Sequence, residues 1–113
     1  MPLHDVPESD WKVFRELQPI ALERFCRQIL SQVQTVLLDD SRTHHERYLE
    51  MFRLLRERDE ELAHAFNNPA RSRMIGQLVA VQVYGLLQPD EIERFTERTR
   101  ETIALLAREY TGS

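Results

Sequence analysis

Apolar residues recur at intervals of three and four along nearly the whole chain, the repeat of helices with one buried face. Trp11, Phe14, Leu17, Ala21, Leu22, Phe25, Ile29, Val33 and Val36 mark a first helix ending near Leu38, with Ser9 or Asp10 as its cap. Pro19 lies inside it, lacks a backbone donor and crowds the preceding turn, which predicts a kink or break near Gln18. Asp39, Asp40 and Ser41 make a short connection and supply a cap for a second helix over about Arg42 to Phe66. Its stripe of His45, Tyr48, Phe52, Leu55, Asp59, Leu62 and Phe66 alternates steps of three and four in a heptad-like way. Asn67, Asn68 and Pro69 stop it, and Asn68 with Pro69 suits the start of a third helix running to Leu87. Pro89, Asp90 and Glu91 restart the chain into a fourth helix, with Ile92, Phe95, Thr99, Ile103, Leu106 and Tyr110 on its inner stripe.

These elements predict an all-α, four-helix bundle-like single domain over residues 1–113, its first helix kinked at Pro19. Met1 to Glu8 reads as an irregular arm because of Pro2 and Pro7, and Thr111, Gly112 and Ser113 as a frayed tail. The expected core draws on Phe14, Phe25, Ile29, Phe52, Leu55, Leu62, Leu78, Phe95 and Leu106.

The third helix departs from a one-sided pattern. Leu78, Met74 and Val81 cover one side of its wheel, and Ile75, Val79, Val83 and Leu86 cover the opposite side. A helix that is apolar all round needs cover all round. Either it lies at the centre of its own chain or a second copy covers its outer face. The sequence favours the second copy, because two-fold homodimers are the commonest oligomers and Gly76, Ala80 and Gly85 admit a close neighbour. Ile75, Val79, Val83 and Leu86 are therefore the expected dimer interface.

Composition agrees with a helical globular chain. Hydrophobic residues make up 42% and charged residues 30% of 113, with only three glycines to serve the many turns a sheet requires. The net charge of −4 opposes a general affinity for nucleic acid, which a basic excess would signal. Cys26 is the only cysteine, so neither an internal disulfide nor a cysteine-built zinc cluster is available. The acidic N-terminal stretch does not resemble a signal peptide, and no apolar run is long enough to span a membrane, so the expectation is a cytoplasmic protein.

Few residues suggest chemistry. Arg71 and Arg73 place positive charge at the start of the third helix, where the dipole disfavours it. They suit either an anion or pairing with Asp59, Glu60 or Glu61 across a short turn. Asp59 interrupts an apolar stripe, so it must be paired, protonated or solvated. Arg71, Arg73 and Asp59 are thus the candidates for ligand binding. Glu61 and His64 have the Glu-x-x-His spacing of bundle metal sites, but one chain holds a single such pair. Arg53, Arg56 and Arg58 interleave with glutamates, the pattern of a solvated, ion-paired face. No phosphate loop or nucleophile elbow occurs. With no catalytic residue and no cofactor indicated, the sequence favours a non-enzymatic module that homodimerises and binds another protein. The alternatives are a ligand- or metal-binding protein or enzyme whose site, using Asp59, Glu61, His64 and Arg71, forms across the dimer, and a nucleic-acid-binding regulator using Arg53, Arg56 and Arg58.

Overall fold

A computed structural model describes residues 6–110, and every regular element among them is helical. Helix α1 spans Glu8–Leu37 and α2 spans His44–Phe66. A 3₁₀ turn at Arg71–Arg73 leads into α3, Met74–Val83. A single turn, α4, covers Pro89–Ile92, and α5 covers Glu97–Tyr110. The particle is elongated, 53 × 28 × 25 Å. The expected arm at Met1 to Asp5 and the tail at Thr111 to Ser113 lie outside the described residues.

Helix α1 continues through Pro19 without a break. It starts two residues earlier than the caps suggested, with Pro7 at the N-cap position and no side-chain cap. Val6, assigned to the arm by sequence, is buried in the core. Helix α2 starts later than expected because the cap is Thr43 rather than the Asp39–Ser41 segment. Thr43 Oγ1 accepts from the Glu46 amide at 3.0 Å, and the Thr43 amide donates to Glu46 Oε1 at 2.8 Å, a complete capping box.

Helix α3 is shorter than its apolar run. Asn68 takes a positive φ of 51°, and Ala70 is extended, so Asn68 and Pro69 form a turn instead of a helix start. At the far end Gly85 has φ +70°. The Leu86 amide donates to Val81 O at 3.1 Å and the Gly85 amide to Gln82 O at 3.0 Å, the paired bonds of a Schellman stop. Gly85 therefore serves to end the helix, and no neighbouring helix approaches it within 4 Å of where a Cβ would sit.

Cover for α3 comes from its own chain. Met74, Ile75, Leu78 and Val79 pack with Val6, which precedes α1, with Phe14 and Leu17 of its N-terminal half and with Phe95 and Ile103. Ala80 and Val81, with Leu86 beyond the helix end, pack with Ala21, Phe25 and Ile29 of α1 and Ala65 and Phe66 of α2. The helix is a wall shared by two apolar clusters. Ile75, Val79 and Leu86 are at most 5% exposed and Val83 is half-buried, which removes the reason for assigning them to a dimer interface.

The fourth predicted helix is divided into α4 and α5. Asp10, on α1 and 1% exposed, accepts from the Thr96 amide at 2.9 Å, Thr96 Oγ1 at 2.7 Å and Thr99 Oγ1 at 2.6 Å. A continuous helix would tie the Thr96 amide into its own ladder. The break before Glu97 frees it for the carboxylate, which also suits the positive end of α5. Asp10 thus docks α5 onto α1 instead of capping its own helix.

A second tie holds the other end of this unit. Arg24 donates to Glu91 through Nη1 at 2.6 Å and Nη2 at 3.1 Å, and to Leu86 O at 2.8 Å. The Arg24 guanidinium, followed by the Gln88 amide, holds the Glu91 carboxyl below the ordinary carboxylate range against the opposing effect of burial. Arg94 in turn pairs with Glu16. The sequence Glu-Arg-Phe occurs at both 23–25 and 93–95, and each copy buries its phenylalanine, Phe25 or Phe95, and extends its arginine across to the other segment.

Candidate association surface on the helical arm

Beyond the shared core, α1 and α2 continue together as an arm. Ile29 is the last buried residue of α1, and the only buried residues of α2 are Ala65 and Phe66 at its end. The tip is held by local bonds. Arg47 Nη1 donates to Leu37 O at 2.7 Å, and Asp39 accepts from the Ser41 amide at 3.1 Å and Oγ at 2.5 Å.

The face that α2 turns toward α1 is partly polar. It carries the half-buried Arg47, Glu50, Met51, Leu54 and Arg58. Arg58 Nε donates to Gln32 Oε1 of α1 at 3.0 Å, while its Nη1 pairs with Glu61 at 2.5 Å. The face turned to solvent carries the larger apolar side chains: Tyr48 is 64% exposed, Leu49 51%, Phe52 61% and Leu55 45%. Leu30 and Leu37 of α1 and Leu38 at its C-cap are more than half exposed as well. Leu37 and Tyr48 line one shallow groove at the tip with His44, Arg47 and Met51, so the apolar surface is continuous across both helices.

Phe52 and Leu55 are therefore not core residues, although the stripe that contains them is real. The helix has apolar residues on two faces, and Met51, Leu54 and Leu62 serve the inner one. Leu49, Leu30, Leu37 and Leu38 were not singled out by sequence reasoning. The signal available was the doubling of apolar positions on α2, which one buried face does not need.

Asp59 lies on this outward face and is solvated, which resolves its place on the stripe. Arg71 pairs instead with Glu8 at 2.6 Å and donates to Val6 O at 2.7 Å, joining the start of α1 to the turn before α3. Arg73 donates to Asn68 O at 2.8 Å and so holds the left-handed turn. Neither arginine reaches the acids of α2. The two arginines and Asp59 do not form one site.

His64 and Arg73 do line one shallow groove, with Asn67, Asn68, Ser72 and Gln77 and the apolar Ala63 and Ile75. Gln77 is 4% exposed; its Nε2 donates to Asn67 O at 2.8 Å, and its Oε1 is buried without a hydrogen-bond partner. Glu61 is held by Arg58 at 2.5 Å. Among the described residues no three His, Cys, Asp or Glu side chains converge as metal ligands would.

The basic residues of α2 are distributed unevenly. Arg53 pairs with Glu50 and with Glu57, the latter at 2.9 Å, and Arg42, in the connection before the helix, with Asp39 at 3.4 Å. Arg56 and Asp59, on the apolar face, form no ion pair among the described residues. No helix among the described residues is long and apolar enough to cross a membrane. Comparison with protein-family models, curated proteins and solved structures gives no match.

Proposed function

We propose that this protein is a non-enzymatic helical interaction module, one folding unit over residues 1–113, that associates through the outward face of its α1–α2 arm. Its partners include a second copy of itself and another protein. The observation that carries the reading is the row Tyr48, Leu49, Phe52 and Leu55, four large side chains left about half exposed or more on one helical face. Taking about 200 Å² for a full side chain, they leave on the order of 450 Å² of largely apolar surface. Contiguous patches of that size on a monomer commonly mark a binding site.

Two arms meeting by these faces would bring four helices together, the bundle that the sequence pattern predicts for one chain. Pro19 has a part in this reading. It sits on the exposed side of α1 between the residues of the two core clusters, where a bend would aim the arm. The reading is of a cytoplasmic protein, since its single free cysteine, Cys26, calls for no oxidising compartment.

A photo-crosslinking amino acid in place of Phe52 tests the surface, with the same residue in place of the exposed Arg98 on α5 as the control. Irradiation in cells is expected to give covalent adducts heavier than the chain from position 52 and not from position 98. Equal yields at the two positions would sink the assignment.

A further inference from the structure

We infer that the occupant of this face is a second copy of the chain, its α2 laid antiparallel on the first, with a two-fold axis at Phe52. The inference rests on the association surface proposed above and adds its partner and geometry.

The argument is one of self-complementarity. Around Phe52, the face of a helix consists of the positions three, four and seven residues away on either side. Here those positions are His45, Tyr48, Leu49, Leu55, Arg56 and Asp59, and all of them are exposed. A two-fold axis through Phe52 pairs positions at equal and opposite offsets. Phe52 then meets Phe52 of the second copy and Leu49 meets Leu55. Tyr48 meets Arg56, a ring beneath a guanidinium. His45 meets Asp59, a base with an acid, about 10 Å from the axis on each side. No position on the face meets its own charge.

The distribution of ion pairs within the chain supports the same partner. Off this face, the arginines of α2 have partners within the chain: Arg53 in Glu50 and Glu57, Arg58 in Glu61, and Arg47, through Nη1, in the Leu37 carbonyl, while the Arg47 Nε is buried without a partner. On it, Arg56 and Asp59 have no partner among the described residues. The two-fold operation would give each of these two a partner, Tyr48 for Arg56 and His45 for Asp59. The apolar centre supplies about half of the ~800 Å² that each side of a standard interface buries. His45, Arg56, Asp59 and the neighbouring Leu37 extend it. Pairing at His45–Asp59 requires helices crossing near 20°, the shallow packing class of antiparallel bundles.

Sedimentation velocity of the full chain over a concentration series reads the self-association constant. The changes are at exposed positions, and circular dichroism verifies that each variant keeps its helix content. Phe52→Glu should abolish the dimer. Asp59→Lys, which replaces the acid facing the imidazole by a cation at two symmetric places, should weaken it about tenfold. Adding His45→Glu to Asp59→Lys should return the constant to within about threefold of the parent. In a Cys26→Ser background, Phe52→Cys should oxidise to a disulfide-linked dimer, and Arg98→Cys should not. A monomer at all concentrations overturns the second copy as occupant; adducts from position 52 of a mass other than two chains would then leave the surface itself standing. A dimer indifferent to Phe52→Glu overturns both. A dimer lost in Phe52→Glu but not rescued by the charge exchange overturns the antiparallel register.

Discussion

Replacing Asp10 by alanine tests how this small fold holds its last helix. The carboxylate is 1% exposed and accepts three hydrogen bonds, from the Thr96 amide and the Thr96 and Thr99 hydroxyls. Bonds to a charged group contribute about 1.5–3 kcal/mol each, and the position at the start of α5 adds about 0.3–1 kcal/mol. Part of this is recovered on truncation. Thr96 is exposed and its donors rehydrate. The Thr99 hydroxyl can turn to a carbonyl one turn back, as Thr102 does toward Arg98 O at 2.9 Å. The net expectation is a loss of about 3 kcal/mol, a sizeable share of the roughly 6–17 kcal/mol that a domain of this length has in total. With a urea slope of about 1.5 kcal/mol/M, the midpoint should fall by about 2 M with the slope unchanged. Asp10→Asn retains one acceptor and should fall between. Thr99→Val combined with Asp10→Ala should cost at least about 1 kcal/mol less than the two changes added separately. A loss below about 1 kcal/mol for Asp10→Ala would refute the view that this carboxylate docks α5.

Two further changes address single features. The Glu91 carboxyl is held low by Arg24, so its contribution is fully present above its unfolded value near 4.5 and disappears as pH falls through the lower folded value. The stability gap between the parent and Glu91→Gln in urea titrations should accordingly be widest near neutrality and close below about pH 4; a gap constant from pH 7 to 3 would contradict the tie. Gly85→Ala places a Cβ in open space but at φ +70°, so it should cost about 1 kcal/mol by conformation alone. An unchanged thermal midpoint would show that the Schellman stop does not depend on glycine.

Periodicity announced the four long helical segments because each buries at least one stripe. Capping residues were less readable where they act at a distance. Asp10 stands where a local cap belongs, and nothing near it in sequence points to Thr96, 86 positions away. The division of the fourth helix did have a local trace, since Thr96 followed by Glu97 is a respectable helix start. For α3, the apolar wheel stated that cover was needed and could not state from which chain. The core supplied it from α1, α2 and α5, and the large apolar face left uncovered is that of α2. There the heptad-like stripe was visible, but periodicity alone does not say which of two apolar faces turns inward. The choice was made by the tie of Arg58 to Gln32 and Glu61 and by Met51 and Leu54 beneath it. Of the candidate site residues, Arg71 and Arg73 proved to be fasteners of the chain, a role set by Glu8 and the Asn68 carbonyl.

The arm also has a thermodynamic consequence. Helix α1 is about 45 Å long, whereas the particle is 28 Å across its second axis. The last two turns of α1 and about the first five of α2 contain no buried residue past Ile29 and before Ala65. Their backbone amides are guarded by a half-buried seam of Val33, Met51 and Leu54, by the Arg58–Gln32 bond and by the tip's own bonds, so they should open in local fluctuations cheaper than global unfolding. Amide exchange should therefore rise in a gradient from the Phe25–Phe66 contact out to Thr43. Anything that settles on the outward face must first close this breathing. Occupancy of the arm is thereby converted into protection, residue by residue, starting at the tip.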